Sequence, residues 1–182
     1  SFPWFASSDR IGVYARKSDS GEITVRNACL AAYSSTTTSL FKPLSDASGI
    51  ELSDGDKLDL SLYYPFRTSC DKPESLPLSI PSEQTVTPGR EPSFKQDNIF
   101  TCTIPAVGAI EAPLETELLP AAAYLRISIS SSSPAYFSSF RLEGSQGSVL
   151  AFTEGSFDLF TGAIDSGEET YDTIGPSSET SV

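Results

Sequence analysis

Lys57 to Phe66 reads KLDLSLYYPF, and its alternation decides the fold class. Leu58, Leu60, Leu62 and Tyr64 fall on one side, Asp59, Ser61 and Tyr63 on the other. A period of two is the mark of a half-buried strand. Ser53-Asp54-Gly55-Asp56 in front reads as a tight turn, because Gly and Asp tolerate the backbone angles a turn requires. Pro65 ends the run, since it cannot donate to a sheet ladder. A strand with one apolar face needs a second layer over that face.

The chain around this strand supplies more of the same pattern. Asp9 to Ala15 (DRIGVYA) puts Ile11, Val13 and Ala15 on one face. Glu22 to Tyr33 is a second extended run, with Ile23 and Val25 alternating against Thr24 and Arg26. Leu40 to Leu44 is short and is stopped by Pro43. Ser45 to Ile50 has room for one turn of helix. From Arg67 to Pro92 the recurring prolines read as a surface crossover, with one short edge strand near Leu76 to Ile80. Asn98 to Ile104 is extended. Leu114 to Ser130 holds the clearest later strand, and Tyr136 to Glu143 follows. Ser148 to Phe152 and Ser156 to Ile164 read as two strands joined by Thr153-Glu154-Gly155. No stretch sustains a helical period. About nine short strands separated by turn signals predict an all-β sandwich or barrel. The expected core includes Leu58, Leu60, Leu62, Ile11, Val13, Ile127 and Ile129.

The totals exclude several kinds of chemistry. The 182 residues carry 24 acidic and 12 basic side chains, a net charge of -12. Such a field repels phosphate backbones and anionic lipid heads, which argues against nucleic-acid partners. The sequence contains no His and no Met. Imidazole-based nucleophile systems are therefore outside its repertoire. No apolar run approaches the ~20 residues of a membrane span. Cys29, Cys70 and Cys102 include no CxxC pair, so no metal site is expected. Buried free thiols in strands fit Cys29 and Cys102, and one disulfide with a third free Cys is the alternative, its pairing open.

Two groups of residues qualify as candidate sites. Asp54, Asp56 and Asp59 lie together, and so do Glu168 and Glu169. Paired carboxylates can hydrolyse glycosides at fixed separations, or bind calcium. On a turn and in an acidic tail, the plainer reading is backbone hydrogen bonding and solvation. The aromatics Phe2, Trp4, Phe5, Tyr63, Tyr64 and Phe66 could stack on a sugar ring, but more often plug the end of a sandwich. No catalytic residue, cofactor or enzyme activity is expected.

The order SFPWFASSDRIGVYA, FKPL, KLDLSLYYPF, NIFTCTI, AYLRISIS, SFRLEG and FDLFTGAI resembles the fimbrillin-like (Mfa-like) family of Gram-negative gut and oral anaerobes. The likeness runs from about Ser1 to Ile164. It implies a transthyretin-like Greek-key β-sandwich of about seven to nine strands over residues 1–164, followed by an acidic linker or tail at 165–182. It implies a structural pilus subunit or tip adhesin at the cell surface, in a fimbrium or the outer membrane. The partners would be other pilin subunits joined by strand addition, with host or bacterial surface glycans or proteins as adhesion ligands. Membrane attachment would come only from a lipid anchor outside these residues. The family's upstream strand and second domain are not recognisable here, so the chain reads as a fragment or processed form. The first strand starts near the chain end, which leads to the expectation of a groove filled by a neighbour's strand. A surface carbohydrate-binding module on the same sandwich is the alternative function.

Overall fold

A computed structural model describes residues 4–44, 50, 55–80, 82–84, 99–109, 113–122, 132 and 141–176. The strands are β1 (Arg10–Lys17), β2 (Ile23–Ala32), β3 (Phe41–Pro43), β4 (Leu58–Tyr64), β5 (Leu76–Ile80), β6 (Glu83–Gln84), β7 (Phe100–Val107), β8 (Leu119–Pro120), β9 (Leu142–Glu143), β10 (Ala151–Phe157), β11 (Ile164–Asp165), β12 (Thr170–Tyr171) and β13 (Thr173–Pro176). The large sheet has the order β3-β2-β1-β4-β7-β8, and every neighbouring pair in it is antiparallel. In the second sheet β10 is flanked by β5 on one side and by β11 and β12 on the other. A small third sheet sets β13 between β6 and β9. The protein is all-β, and its two main sheets pack as a sandwich.

β4 is the middle of this arrangement, and it is buried on both faces. Leu58, Leu60 and Tyr64 pack with Ile11, Val13, Ala15, Phe100 and Val107, and Trp4, Ile50 and Leu118 close over them. The second sheet lies on the opposite face, the one read as polar. There Tyr63 and Tyr14 meet Leu76, Leu78, Phe152, Phe157 and Leu159. The expectation of one covered face is thus corrected. Burial of Ser61 is tolerated because its hydroxyl donates to the Leu159 carbonyl at 2.7 Å, and Tyr63 donates to Asn27 Oδ1 at 2.7 Å. Hydrogen-bonded hydroxyls can enter a core without leaving a polar group unsatisfied. Of the expected core, Leu58, Leu60, Ile11 and Val13 are buried and Leu62 is half-buried. Ile127 and Ile129 lie outside the described residues.

Glycine makes two close approaches possible. Gly12 stands opposite Tyr63 in the β1–β4 ladder, and the Tyr63 ring lies across the place a Cβ would occupy, 2.0 Å from it. Gly155 sits inside β10 against the Phe152 ring and the Asp165 carbonyl, each 2.5 Å from a Cβ position. The Thr153-Glu154-Gly155 turn expected between two strands is therefore part of one strand. Its glycine serves packing and a register shift against β5 rather than chain reversal.

Other differences follow from pairing that local pattern does not carry. The stretch after Asp165 was expected to lack strands. Instead, Thr170–Tyr171 pairs with β10 and Thr173–Pro176 with β9 and β6. The turn that starts this return is built by Asp158, whose Oδ1 accepts from the Phe160 and Thr161 amides, with Gly162 at φ +72°. β5 is at the edge of its sheet, as its prolines predict. The helical turn considered at Ser45 to Ile50 falls outside the described residues except for Ile50, as do residues 123–130 of the stretch Leu114 to Ser130. Within 114–122, only Leu119–Pro120 pairs.

Candidate functional site

The two ends of the large sheet differ. At one end, Phe100 and Thr101 of β7 pair with β8, and the Cys102 thiol meets Thr116 Oγ1 at 2.7 Å, so residues 116–120 run beside that strand. At the other end, β3 pairs only with Leu30, Ala31 and Ala32 of β2. The rest of β2, Ile23–Ala28, has no strand partner along its outer edge among the described residues.

Hydrogen-bond alternation gives the orientation of that edge. The Ala32 amide donates to the Asp9 carbonyl, and the Lys17 amide donates to the Glu22 carbonyl. Successive residues of an antiparallel strand present their backbone groups to opposite sides. The N–H and C=O of Ile23 therefore point away from β1 into the open, while those of Cys29 point toward Leu44, the residue that follows β3. Between them the ladder carries a bulge: Val13 faces Ala28, while Ala15 faces Val25. Asn27 accommodates it at φ +49°, a left-handed backbone that Asn adopts more readily than most residues. Its side chain is held from two sides, donating to the Arg67 carbonyl at 2.8 Å and accepting from Tyr63. Thr24 and Arg26 are exposed on this edge.

The residues singled out from the sequence are placed elsewhere and are engaged in structure. Asp59 lies on β4, where it accepts from Ser18 Oγ at 2.7 Å, from the Ala106 amide at 3.1 Å and from Arg16 Nε at 3.2 Å. The Ser18 bond, then the Ala106 amide and Arg16, hold its carboxyl below the usual range. It ties β1, β4 and the β7 bulge at Ala106 together. Asp56 is half-buried, and Asp54 lies outside the described residues. Glu169 accepts from Thr153 Oγ1 and Tyr171 Oη, both at 2.6 Å, and those bonds lower its pKa. Glu168 is exposed beside it.

Among the aromatics, Tyr63 and Tyr64 form core, with Phe66 and Trp4 packed against it. Trp4 meets Phe41 and Tyr64 edge-on, with ring centroids 5.0 and 5.2 Å apart. Tyr64 donates to Asp9 Oδ1 at 3.0 Å, and burial with this bond pushes its phenol up to about 12. Tyr63 is fully buried, whereas Phe5 is exposed; Phe2 lies outside the described residues. All three cysteines are free thiols. Cys29 and Cys102 are half-buried on strands, and the fully buried thiol is Cys70, which sits under the Tyr14 hydroxyl. Burial raises the Cys29 pKa, against the pull of Arg10.

Among the described residues no three Cys, Asp or Glu side chains are gathered so as to hold a metal ion. No family model matches the sequence, and no curated protein is significantly similar to it. The open edge of β2 is the candidate site. β1, the strand whose nearness to the chain end prompts the expectation of a groove, itself lies between β2 and β4 with both edges occupied. The available signal was Arg26, a charge inside an otherwise strand-like run, which is a common mark of an edge.

Proposed function

We infer that this chain is a structural subunit of a surface assembly, of the pilus or adhesin kind that its resemblance to the fimbrillin-like family implies, and that it binds other chains by strand addition. The observation that carries this reading is the outer edge of Ile23–Ala28, which no strand among the described residues pairs and where the N–H and C=O of Ile23 face outward. Such an edge is a template for an added strand, whose main-chain hydrogen bonds supply affinity while alternate side chains supply specificity. The finer topology, a transthyretin-like Greek key, belongs to the same proposal. It is supported by β4 returning beside β1 rather than beside β3.

A proline at Ile23, the first residue of β2, tests the function. It removes an outward N–H and leaves the β1 ladder intact, so the strand addition is weakened while the fold persists. Sedimentation velocity of the wild-type chain and Ile23→Pro, with circular dichroism to confirm folding, reads the outcome. Association weakened or lost in the variant supports the reading. Equal association of both, or a strictly monomeric wild type at high concentration, overturns it.

A further inference from the structure

The charge of this chain is not spread evenly. Across residues 9–44, which hold β1 to β3, five basic side chains stand against three acidic ones. One of the three, Asp9, is buried under Tyr64. Across residues 141–176 the balance reverses, with Arg141 alone against seven carboxylates. Arg16 and Lys17 are paired with Asp59 and Glu22, so the basic side chains around the open β2 edge are Arg10, Arg26 and Lys42, in a chain whose net charge is -12. Arg26 projects from its middle, and Arg10 and Lys42 flank its end, on either side of Ala31.

This pattern argues against a symmetric pairing of two β2 edges. That geometry would bring two Arg26 side chains and two bulges together, and like charges across a ladder are destabilising. The edge instead suits an acidic strand. One exists on the opposite sheet of the same molecule: the ribbon 165–172, which carries Asp165, Glu168, Glu169 and Asp172 and no basic residue. β11 and β12 pair with β10 on one side only, and Ile164, Asp165, Glu168 and Thr170 are exposed. Glu169 is occupied by Thr153 and Tyr171, whereas the carboxylates of Glu168 and Asp172 make no hydrogen bond or ion pair among the described residues.

We propose that the occupant of the β2 edge is a second copy of this chain, presenting its acidic 165–172 ribbon. The two surfaces are different patches of one molecule, so the contact is heterologous and repeats from copy to copy instead of closing as a dimer. Opposite potentials would guide the encounter and fix which edge meets which, as complementary charge does at interfaces generally. This inference rests on the strand-addition reading above and names its partner.

The test is a charge swap followed by sedimentation velocity at low and high salt. One variant carries Arg26→Glu with Lys42→Glu, the other Glu168→Lys with Asp172→Lys. Each substitution is on a solvent-facing side chain, and melting curves confirm the fold. The wild type should associate at low ionic strength and dissociate as salt screens the contact. Each variant alone should associate roughly tenfold to thirtyfold more weakly, and an equimolar mixture should recover assembly by alternation. The second variant discriminates sharply: it lowers the net negative charge, so general repulsion predicts stronger association and the proposal predicts weaker. Variants that associate as well as the wild type, or a mixture that does not recover, overturn the acidic-ribbon contact. If Ile23→Pro still blocks association in that case, strand addition stands with another surface as the donor. If the wild type never associates, both readings fall.

Discussion

Gly12→Ala should destabilise the sandwich more than its single methyl group suggests. The new Cβ would stand 2.0 Å from Tyr63 Cε1, 2.4 Å from Cζ and 2.8 Å from Cδ1. Carbon atoms pack at about 3.5–4.0 Å, so the ring must retreat by roughly 1.5 Å. It has nowhere to go, because Tyr63 is fully buried in the inter-sheet core with Phe152, Phe157 and Leu159. Overpacking of this kind costs about 1–3 kcal/mol. Retreat also breaks the bond to Asn27, which adds about 1 kcal/mol. The total expected loss is about 2–4 kcal/mol. Urea unfolding reads it, followed by the fluorescence of Trp4, the chain's one tryptophan, and by circular dichroism. The companion is a double-mutant cycle with Tyr63→Ala. Once the ring is gone, Ala at position 12 should cost nothing or stabilise slightly, by about 0.5–1 kcal/mol, because glycine is a poor strand residue. An unchanged midpoint for Gly12→Ala, or additive effects in the cycle, would refute the assigned contact between ring and glycine.

Other outcomes follow from the same core. Ser61→Ala should cost about 1 kcal/mol, because Thr103 Oγ1 also donates to the Leu159 carbonyl, at 2.9 Å. The double change with Thr103→Val strands that carbonyl and should exceed the sum of the single effects; additivity by urea unfolding would contradict the shared acceptor. Leu60→Ala should cost about 2–5 kcal/mol, and an unshifted denaturation midpoint would mean that its burial has been misassigned. Alkaline titration follows from the phenols. Burial raises the Tyr64 pKa from 10.0 to about 12, so the folded state holds its proton more tightly than the unfolded chain. That contribution is fully present below the unfolded value and is lost as pH rises through the folded one. The unfolding midpoint should hold up to about pH 10 and fall between there and 12, with a shallower fall in Tyr64→Phe; a flat profile in both would count against the buried phenol.

Local chemistry was legible where one residue decides one conformation. Pro65 and Pro43 ended their strands, and the alternation of Leu58, Leu60 and Leu62 identified β4 and its apolar face. What alternation could not show was the fate of the other face. Ser61 and Tyr63 read as solvent-facing because hydroxyls usually are, yet each found a buried acceptor supplied by distant residues, Leu159 and Asn27. Gly155 misled for a related reason: glycine marks turns and close approaches alike, and only the Phe152 ring and Asp165 carbonyl distinguish the two. Thr170–Tyr171 and Thr173–Pro176 lacked a strand signature of their own and are ordered by the strands they meet. The candidate site was hidden most completely. Whether β2 is central or at an edge depends on strand order, which no local pattern encodes, and only Arg26 hinted at it.

Hydrogen exchange at β2 reports whether that edge takes an added strand. The outward amide of Ile23 should exchange quickly in dilute monomer, while those of Ala28 and Leu30, turned toward β1, are protected. On assembly the Ile23 amide should become protected as well, as an added strand takes up its hydrogen bond. Protection of the Ile23 amide already in the monomer, or its unchanged exchange in the assembled protein, would overturn the strand-addition reading.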